Sequence, residues 1–109
     1  MTAERVRVTG IPCPVCGVSV GEWCRDDDGA SRGALSHVGR VSLALVLGHA
    51  GGRLSEIVTD LRDASGVPDA PLWECAAAVE RKHRGGVRAW LAHRGYVRQL
   101  DGLPSWFPR

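Results

Sequence analysis

Residues 13–40 read CPVCGVSVGEWCRDDDGASRGALSHVGR, and this stretch decides what holds the N-terminal half of the chain together. Cys13 and Cys16 form a C-x2-C pair with a glycine directly after it, a spacing that lets two thiolates converge on one metal ion from a tight turn. Cys24 follows after seven residues, and His37 follows after twelve more. Three thiolates and one imidazole are the ligands of a closed tetrahedral zinc site. The spacing therefore predicts a structural zinc ion, because four protein ligands leave no open position for water.

Two histidines compete for the fourth ligand position. His49 lies twelve residues beyond His37, so the two cannot occupy adjacent turns of one helix. We favour His37 because it opens a predicted helix and therefore faces back toward the cysteines. His49 stays open as the alternative ligand.

Other uses of the cysteines and of the acidic run are less favoured. A redox disulfide between Cys13 and Cys16 would need a thioredoxin-like βαβ pattern, which the sequence lacks. A secreted disulfide framework is disfavoured because the first ten residues do not resemble a signal peptide. Cys75 falls in a predicted helix, where we expect it to be a buried apolar filler. The acidic residues 26–28 are predicted to form a turn, since the later oxygen ligands of a calcium loop are missing.

The same stretch resembles a family of small phage and actinobacterial zinc fingers. Its pattern is CPxCG, a Gly-x-x-Cys step, a glycine-containing loop and a closing His-x-x-Arg. The matching residues are Cys13, Cys16, Gly17, Gly21, Cys24, Gly29, His37 and Arg40. The resemblance covers about a quarter of the chain. It implies that Cys13, Cys16, Cys24 and His37 bind zinc and that the domain binds DNA.

Basic residues concentrate in one segment of the chain. There are 14 Lys and Arg against 12 Asp and Glu, for a net charge of +2. Residues 81–98 contain six of the basic residues and no acid: Arg81, Lys82, Arg84, Arg88, Arg94 and Arg98. This asymmetry indicates a polyanion such as DNA as the partner, with these six residues as its contacts. A solvated helix face in an arginine-rich chain is the alternative explanation.

Hydrophobic periodicity predicts four helices, over residues 37–49, 54–64, 71–83 and 87–94. Short alternating segments predict two strand pairs, 5–11 with 18–23 and 96–100 with 105–107. The first helix is apolar on nearly every side, so we expect it to be buried as a link between the zinc module and the rest.

The order of the last elements resembles a winged helix-turn-helix, whose recognition helix lies in the DNA major groove. That helix would present Arg84, Arg88, His93 and Arg94, and Arg98 would contact phosphate from the wing. A plain four-helix module with an arginine-rich surface explains the same pattern, so both architectures stay open.

The predicted fold class is therefore α+β, with a small Cys3His zinc finger fused to a mostly helical or winged-helix module. The predicted domains are residues 1–49, the zinc-finger module with its buried linking helix, and residues 50–109, the helical module. A content of 44% hydrophobic and 24% charged residues is typical of a folded globular chain. The longest apolar run, residues 41–48, is far shorter than the roughly 20 residues of a membrane-spanning helix.

The leading functional hypothesis is a zinc-stabilised, phage-encoded, DNA-binding regulatory protein that acts in the cytoplasm of the bacterial host. The alternative is an adaptor or inhibitor that docks on a host protein through Trp23 or Trp106, because aromatic side chains concentrate binding energy at interfaces. We do not expect an enzyme, since the sequence shows no nucleophile–base pair and no open metal site. No membrane partner and no small-molecule substrate are expected either, and the sequence gives no sign of the oligomeric state.

Overall fold

The computed structural model describes residues 8–33, 35–98 and 103–106. These residues form four α-helices: α1 (Val38–Gly48), α2 (Leu54–Ser65), α3 (Leu72–Lys82) and α4 (Gly86–His93). Two 3₁₀ turns, Val8–Gly10 and Gly51–Arg53, precede α1 and α2. Each helix begins and ends within one residue of its predicted bounds, so the prediction of the helices is confirmed.

The helices pack around one apolar core. α2 packs on α3, α3 packs on α4, and α1 packs on α4. The core takes fully buried side chains from every helix, among them Leu43, Val46, Ile57, Leu61, Val79, Val87 and Leu91. The segment before α1 adds Ile11 to this core, and its own buried cluster consists of Cys13, Val18 and Cys24. The predicted domain boundary between residues 49 and 50 falls just after α1 and stays a prediction.

A short turn connects α3 to α4 and depends on two glycines. Gly85 and Gly86 both have positive φ, at 88° and 81°. The carboxylate of Glu80 accepts a hydrogen bond from the backbone N–H of Val87 at 2.9 Å and so satisfies one of the free donors at the start of α4. A Cβ at position 86 would lie 2.5 Å from the Glu80 carboxylate. The turn thus needs glycine for its conformation and for the close approach of Glu80.

The predicted α+β class is wrong, because the described residues contain no β-strand. Their only strand-like pairings are two isolated bridges, Arg25 with Ser31 and Val97 with Pro104. Of the predicted strand 5–11, residues 5–7 lie outside the described part of the chain and residues 8–10 form a 3₁₀ turn. Segment 18–23 forms a turn rather than a return strand. Its backbone bonds include Glu22 N–H to Ser19 O at 3.1 Å and Gly21 N–H to Thr9 O at 2.8 Å.

Residues 96–98 and 103–105 pair through two backbone hydrogen bonds, Arg98 N–H to Leu103 O at 3.0 Å and Ser105 N–H to Tyr96 O at 2.9 Å, but the pairing is one isolated bridge and not two strands. The winged-helix expectation is therefore not confirmed within the described residues. Tyr96 and Val97 are both buried. Residues 99, 100 and 107 of the predicted hairpin lie outside the described residues. The indole N–H of Trp106 donates to His49 O at 2.9 Å, and the Arg53 guanidinium lies 4.7 Å from the centroid of the Trp106 ring. The tail therefore closes onto the α1–α2 junction.

No single helix in the described ranges has the length and apolar character to cross a membrane. Residues 38–48 and 51–65 reach that length and composition only as a pair, across a bend of 108°.

Candidate metal centre

The four predicted ligands meet in one place. The thiol sulfurs of Cys13, Cys16 and Cys24 and a ring nitrogen of His37 all lie within 4.8 Å of one another. Cys13 Sγ and His37 Nδ1 are 3.6 Å apart. A tetrahedral zinc ion, with Zn–S and Zn–N bonds of about 2.3 and 2.0–2.1 Å, needs ligand atoms roughly 3.5–3.8 Å apart. The donor set and its spacing fit a structural zinc ion, and the prediction of these four ligands is confirmed.

A tight turn places the first two thiols. The N–H of Gly17 donates to Cys13 O at 3.0 Å, and the positive φ of Gly17, 81°, allows the chain to reverse there. The N–H groups of Val15 and Cys16 point at Cys13 Sγ, at 3.4 and 3.5 Å. These N–H groups stabilise a thiolate at Cys13, so the turn suits a metal ligand as well as a bend.

The acidic loop and the start of α1 place the other two ligands. The N–H of Arg32 donates to Cys24 O at 2.7 Å, which closes the loop that returns to Cys24. Within that loop the N–H of Gly29 donates to Asp26 O at 2.9 Å, which confirms the predicted turn at residues 26–28. His37 is the residue directly before α1.

The alternative prediction, in which His49 is the fourth ligand, is wrong, because His37 lies with the three cysteines. His49 follows the last residue of α1, twelve residues beyond His37. At a rise of about 1.5 Å per residue, that places it about 18 Å from the metal centre along the helix axis.

The thiols of Cys13 and Cys24 differ in their pKa values. Burial raises the pKa of Cys13 to about 12, against the effect of the backbone hydrogen bonds it receives. Burial also acts to raise the pKa of Cys24, but hydrogen bonds from His37 and Arg40 outweigh it and lower that pKa to about 6. Metal binding requires thiolates and releases their protons, so zinc loading is favoured as the pH rises.

Arg40 is the residue of the site that sequence reasoning missed, since it entered only as the last letter of a motif. The side chain is fully buried. Its Nε and Nη2 donate to Ile11 O at 3.0 and 2.8 Å, and its Nη1 donates to Glu22 O at 2.8 Å. The same Nη1 reaches Cys24 Sγ at 3.4 Å, and Nη2 reaches Ser19 O at 3.4 Å. The i, i+3 spacing from His37 on a buried helix was the available signal, because it puts both side chains on one face.

The finger has an acidic face beside the metal centre. Asp26, Asp27 and Asp28 line an open concavity together with Arg32 and His37. Arg32 Nη1 forms an ion pair with Asp26 Oδ1 at 3.0 Å. Carboxylates outnumber cations here, so this face repels phosphate.

The six predicted nucleic-acid contacts are distributed over α3, α4 and the segments that follow these helices. Lys82 and Arg94 line a groove of about 370 Å³ together with His83, Trp90 and His93. Arg81 lines a different groove, between α3 and the loop that precedes it. Arg84 is exposed in the turn before α4.

Four of the six basic residues interact with other groups of the molecule. Arg94 Nη2 forms an ion pair with Asp60 Oδ2 at 2.9 Å, and Lys82 Nζ donates to Ser65 O at 3.2 Å. Arg88 and Arg98 are half-buried, and each has an interaction of its own within the molecule. The role of all six residues in binding nucleic acid stays a prediction.

Comparison with known proteins bears on the first half of the chain. Residues 2–55 match the model of a family described as "Putative DNA-binding phage zinc finger domain". The chain has no match among curated proteins or among solved structures. The match includes all four metal ligands and Arg40, and it ends just inside α2. Residues 2–55 therefore match the phage zinc finger family that the CPxCG and His-x-x-Arg motifs indicated, with Cys13, Cys16, Cys24 and His37 positioned as its metal ligands.

Proposed function

We propose that this chain is a phage-encoded regulatory protein that binds DNA in the cytoplasm of the bacterial host and catalyses no reaction itself. The observation that carries the proposal is a Cys3His centre inside a segment that matches a family described as DNA-binding. With four protein ligands the metal keeps no position for water, so its role is to hold the finger in shape.

The surface charges favour the end of α3 and the turn after it as the DNA contact. Arg81, Lys82 and Arg84 are exposed there, and His93 and Arg94 lie across the adjoining groove. The acidic loop of the finger would meet phosphate with like charge. Because α1 packs on α4, the finger and the basic segment are held on one framework. In this proposal the finger supports the fold, while the basic segment neutralises phosphate.

Fluorescence anisotropy of the zinc-loaded protein with random duplex DNA at two salt concentrations tests the proposal. Removal of one cation that neutralises a phosphate should reduce the slope of log affinity against log salt by about 0.9. Arg81→Gln together with Arg84→Gln should therefore weaken binding and reduce the slope by roughly 2. Neither guanidinium has a partner among the described residues, so the fold should be unaffected.

Arg25→Gln is the control, because it removes an exposed arginine that lies in the acidic finger loop, away from the basic segment. It should leave the salt slope unchanged. Absence of binding at low salt would remove DNA as the partner. Equal reductions in the control and in the double variant would remove the basic segment as the DNA-binding surface.

A protein partner that docks on the finger is the second candidate. Trp23 is 55% exposed, and Val20 and Leu35 in the same segment are 58% and 71% exposed. Trp106, by contrast, is occupied by its contacts with His49 and Arg53. Trp23→Ser should abolish the capture of such a partner and leave DNA binding intact, which separates the two functions.

A further inference from the structure

Arg40 is a fully buried cation, and none of its hydrogen-bond partners in the described part of the chain is a carboxylate. Within the described residues its partners are the carbonyl oxygens of Ile11, Ser19 and Glu22 and the sulfur of Cys24. Carbonyl oxygens satisfy the N–H groups of a guanidinium but carry no net charge. An uncompensated charge in a protein interior is strongly unfavourable. The compensating negative charge must therefore come from the direction of Cys24.

The metal centre can supply the negative charge that would balance Arg40. A divalent ion with three thiolates and one neutral imidazole has a net charge of −1. A guanidinium is always protonated at physiological pH and contributes +1. The loaded centre and Arg40 together are neutral, and the Nη1 contact with Cys24 Sγ joins them at 3.4 Å.

We propose that the charge of Arg40 selects the net charge of the metal centre. The finger therefore binds zinc best with three thiolates and one imidazole, the ligand set whose zinc complex has a charge of −1. Two hydrogen bonds to Ile11 and one to Glu22 fix the guanidinium against the finger backbone, independently of the sulfur contact. In the folded finger the positive charge is thus held next to the ligand set by bonds that do not involve the metal. Arg40 is a positioning residue in this role: it acts on the metal through Cys24. The inference concerns metal binding and does not depend on DNA as the partner.

The experiment is a double-mutant cycle on the full chain, with zinc affinity measured by competition against a chelator. Arg40→Gln removes the charge, and Cys16→His makes the centre neutral without altering the sulfur that Arg40 contacts. Each single change should weaken zinc binding by about 10- to 100-fold, the usual cost of disturbing a residue that supports metal ligands. In the Arg40→Gln background Cys16→His should cost at least tenfold less than it does alone. Additive effects, with a coupling below threefold, would overturn the proposal.

Arg40→Lys separates charge from shape. It keeps the positive charge but cannot reproduce the fork of hydrogen bonds. If Arg40 acts through its charge, Arg40→Lys should keep most of the zinc affinity that Arg40→Gln loses. Equal affinities for the lysine and glutamine variants would overturn the proposal and leave Arg40 a purely structural residue.

Substitution of cobalt for zinc gives a spectroscopic test, because a purely structural role of Arg40 would leave the thiolate-to-cobalt band unchanged. Without the hydrogen bond from Nη1, the Cys24 thiolate becomes a stronger electron donor. The thiolate-to-cobalt charge-transfer band of Arg40→Gln should therefore shift to longer wavelength, and an unshifted band would contradict the inference. If Arg40→Gln fails to fold with zinc, the double variant with Cys16→His decides: recovery of a zinc-dependent fold supports charge matching, and failure to recover it overturns it.

Discussion

The segment before α1 and the four helices are stabilised in different ways. In the described part of residues 8–37, the buried cluster separate from the helical core consists of Cys13, Val18 and Cys24, and two of those three are metal ligands. The helices share an extended apolar core. The finger therefore depends on its metal and on Arg40, whereas the helices depend on the burial of apolar surface. α1 belongs to both, since Arg40 faces the finger and Leu43 lies in the core.

Metal removal should produce the largest difference between the two regions. Structural zinc contributes about 10–16 kcal/mol in zinc-finger peptides, which is more than the interactions left in residues 8–37 could replace. After chelation, amide hydrogen exchange in the finger should approach the rate of an unfolded chain. Exchange in α3 and α4 should change by less than about tenfold, and zinc should restore the finger. Equal loss of protection in α4 would show that the helices also depend on the metal.

A cavity in the helical core should have the opposite effect. Leu91 is fully buried in α4, so Leu91→Ala should lower the free energy of unfolding by about 2–5 kcal/mol. Zinc affinity should stay within a few-fold of its original value. Leu35→Ala is the control, because Leu35 is 71% exposed and should change stability by less than about 0.5 kcal/mol. Denaturant unfolding and chelator competition measure the two quantities, and a Leu91 variant that no longer binds zinc would break the distinction.

The turn between α3 and α4 gives a smaller effect confined to the helices. Glu80→Ala leaves the N–H of Val87 without its acceptor at the start of α4, and should cost about 1–2 kcal/mol. Glu74→Ala, at an exposed position of the same helix, is the matched control. Both variants should bind zinc equally well. A similar loss of stability in the two variants would mean that the hydrogen bond with Val87 contributes nothing.

The smallest effect is expected where the tail meets α2. The hydroxyl of Tyr96 donates to the carboxylate of Asp60, and Tyr96→Phe should cost about 0.5–1.5 kcal/mol in denaturant unfolding. Hydrogen bonding from Tyr96, and then from Arg94, lowers the pKa of Asp60 below its ordinary value of 3.8. Stability from Asp60 is therefore present above about pH 4 and is lost as the pH falls through its folded pKa.

Tyr96 titrates in the opposite direction. Burial, and then the bond to Asp60, raise the pKa of Tyr96 from 10.0 to about 12. Its contribution is complete below pH 10 and is lost as the pH rises toward 12. Tyr96 is the only tyrosine in the chain, so tyrosinate absorbance reports on it alone. A midpoint near 10 in the folded protein would contradict the hydrogen bond to Asp60.

Sequence patterns predicted the helices and the metal ligands well for separate reasons. Apolar residues recur at helical spacing, and glycines or prolines bound each run, so both the type and the ends of the helices are local information. The ligand set is also readable, because tetrahedral zinc accepts few residue types at few spacings.

The failure of the strand predictions and the buried role of Arg40 have one shared reason. Sequence alternation does not reveal what accepts or donates the backbone hydrogen bonds. Here the carbonyls of Ile11 and Glu22 bond to a side chain 29 and 18 residues further along, not to a neighbouring strand. A single arginine in a helix looks like a surface residue, and only the folded finger shows that its charge is enclosed.

The docking of Trp106 on the α1–α2 junction has a consequence for the order in which the molecule is assembled during its synthesis. The chain leaves the ribosome from its N-terminus, so all four metal ligands and Arg40 emerge before any residue of α2. The indole of Trp106, which donates to the carbonyl of His49, lies 57 residues further along the chain and is synthesised later. Metal capture can thus fix the first turn of α1 early, and the closing contact of the helical core is the last to form. The finger is in this sense the starting template onto which the later helices are added.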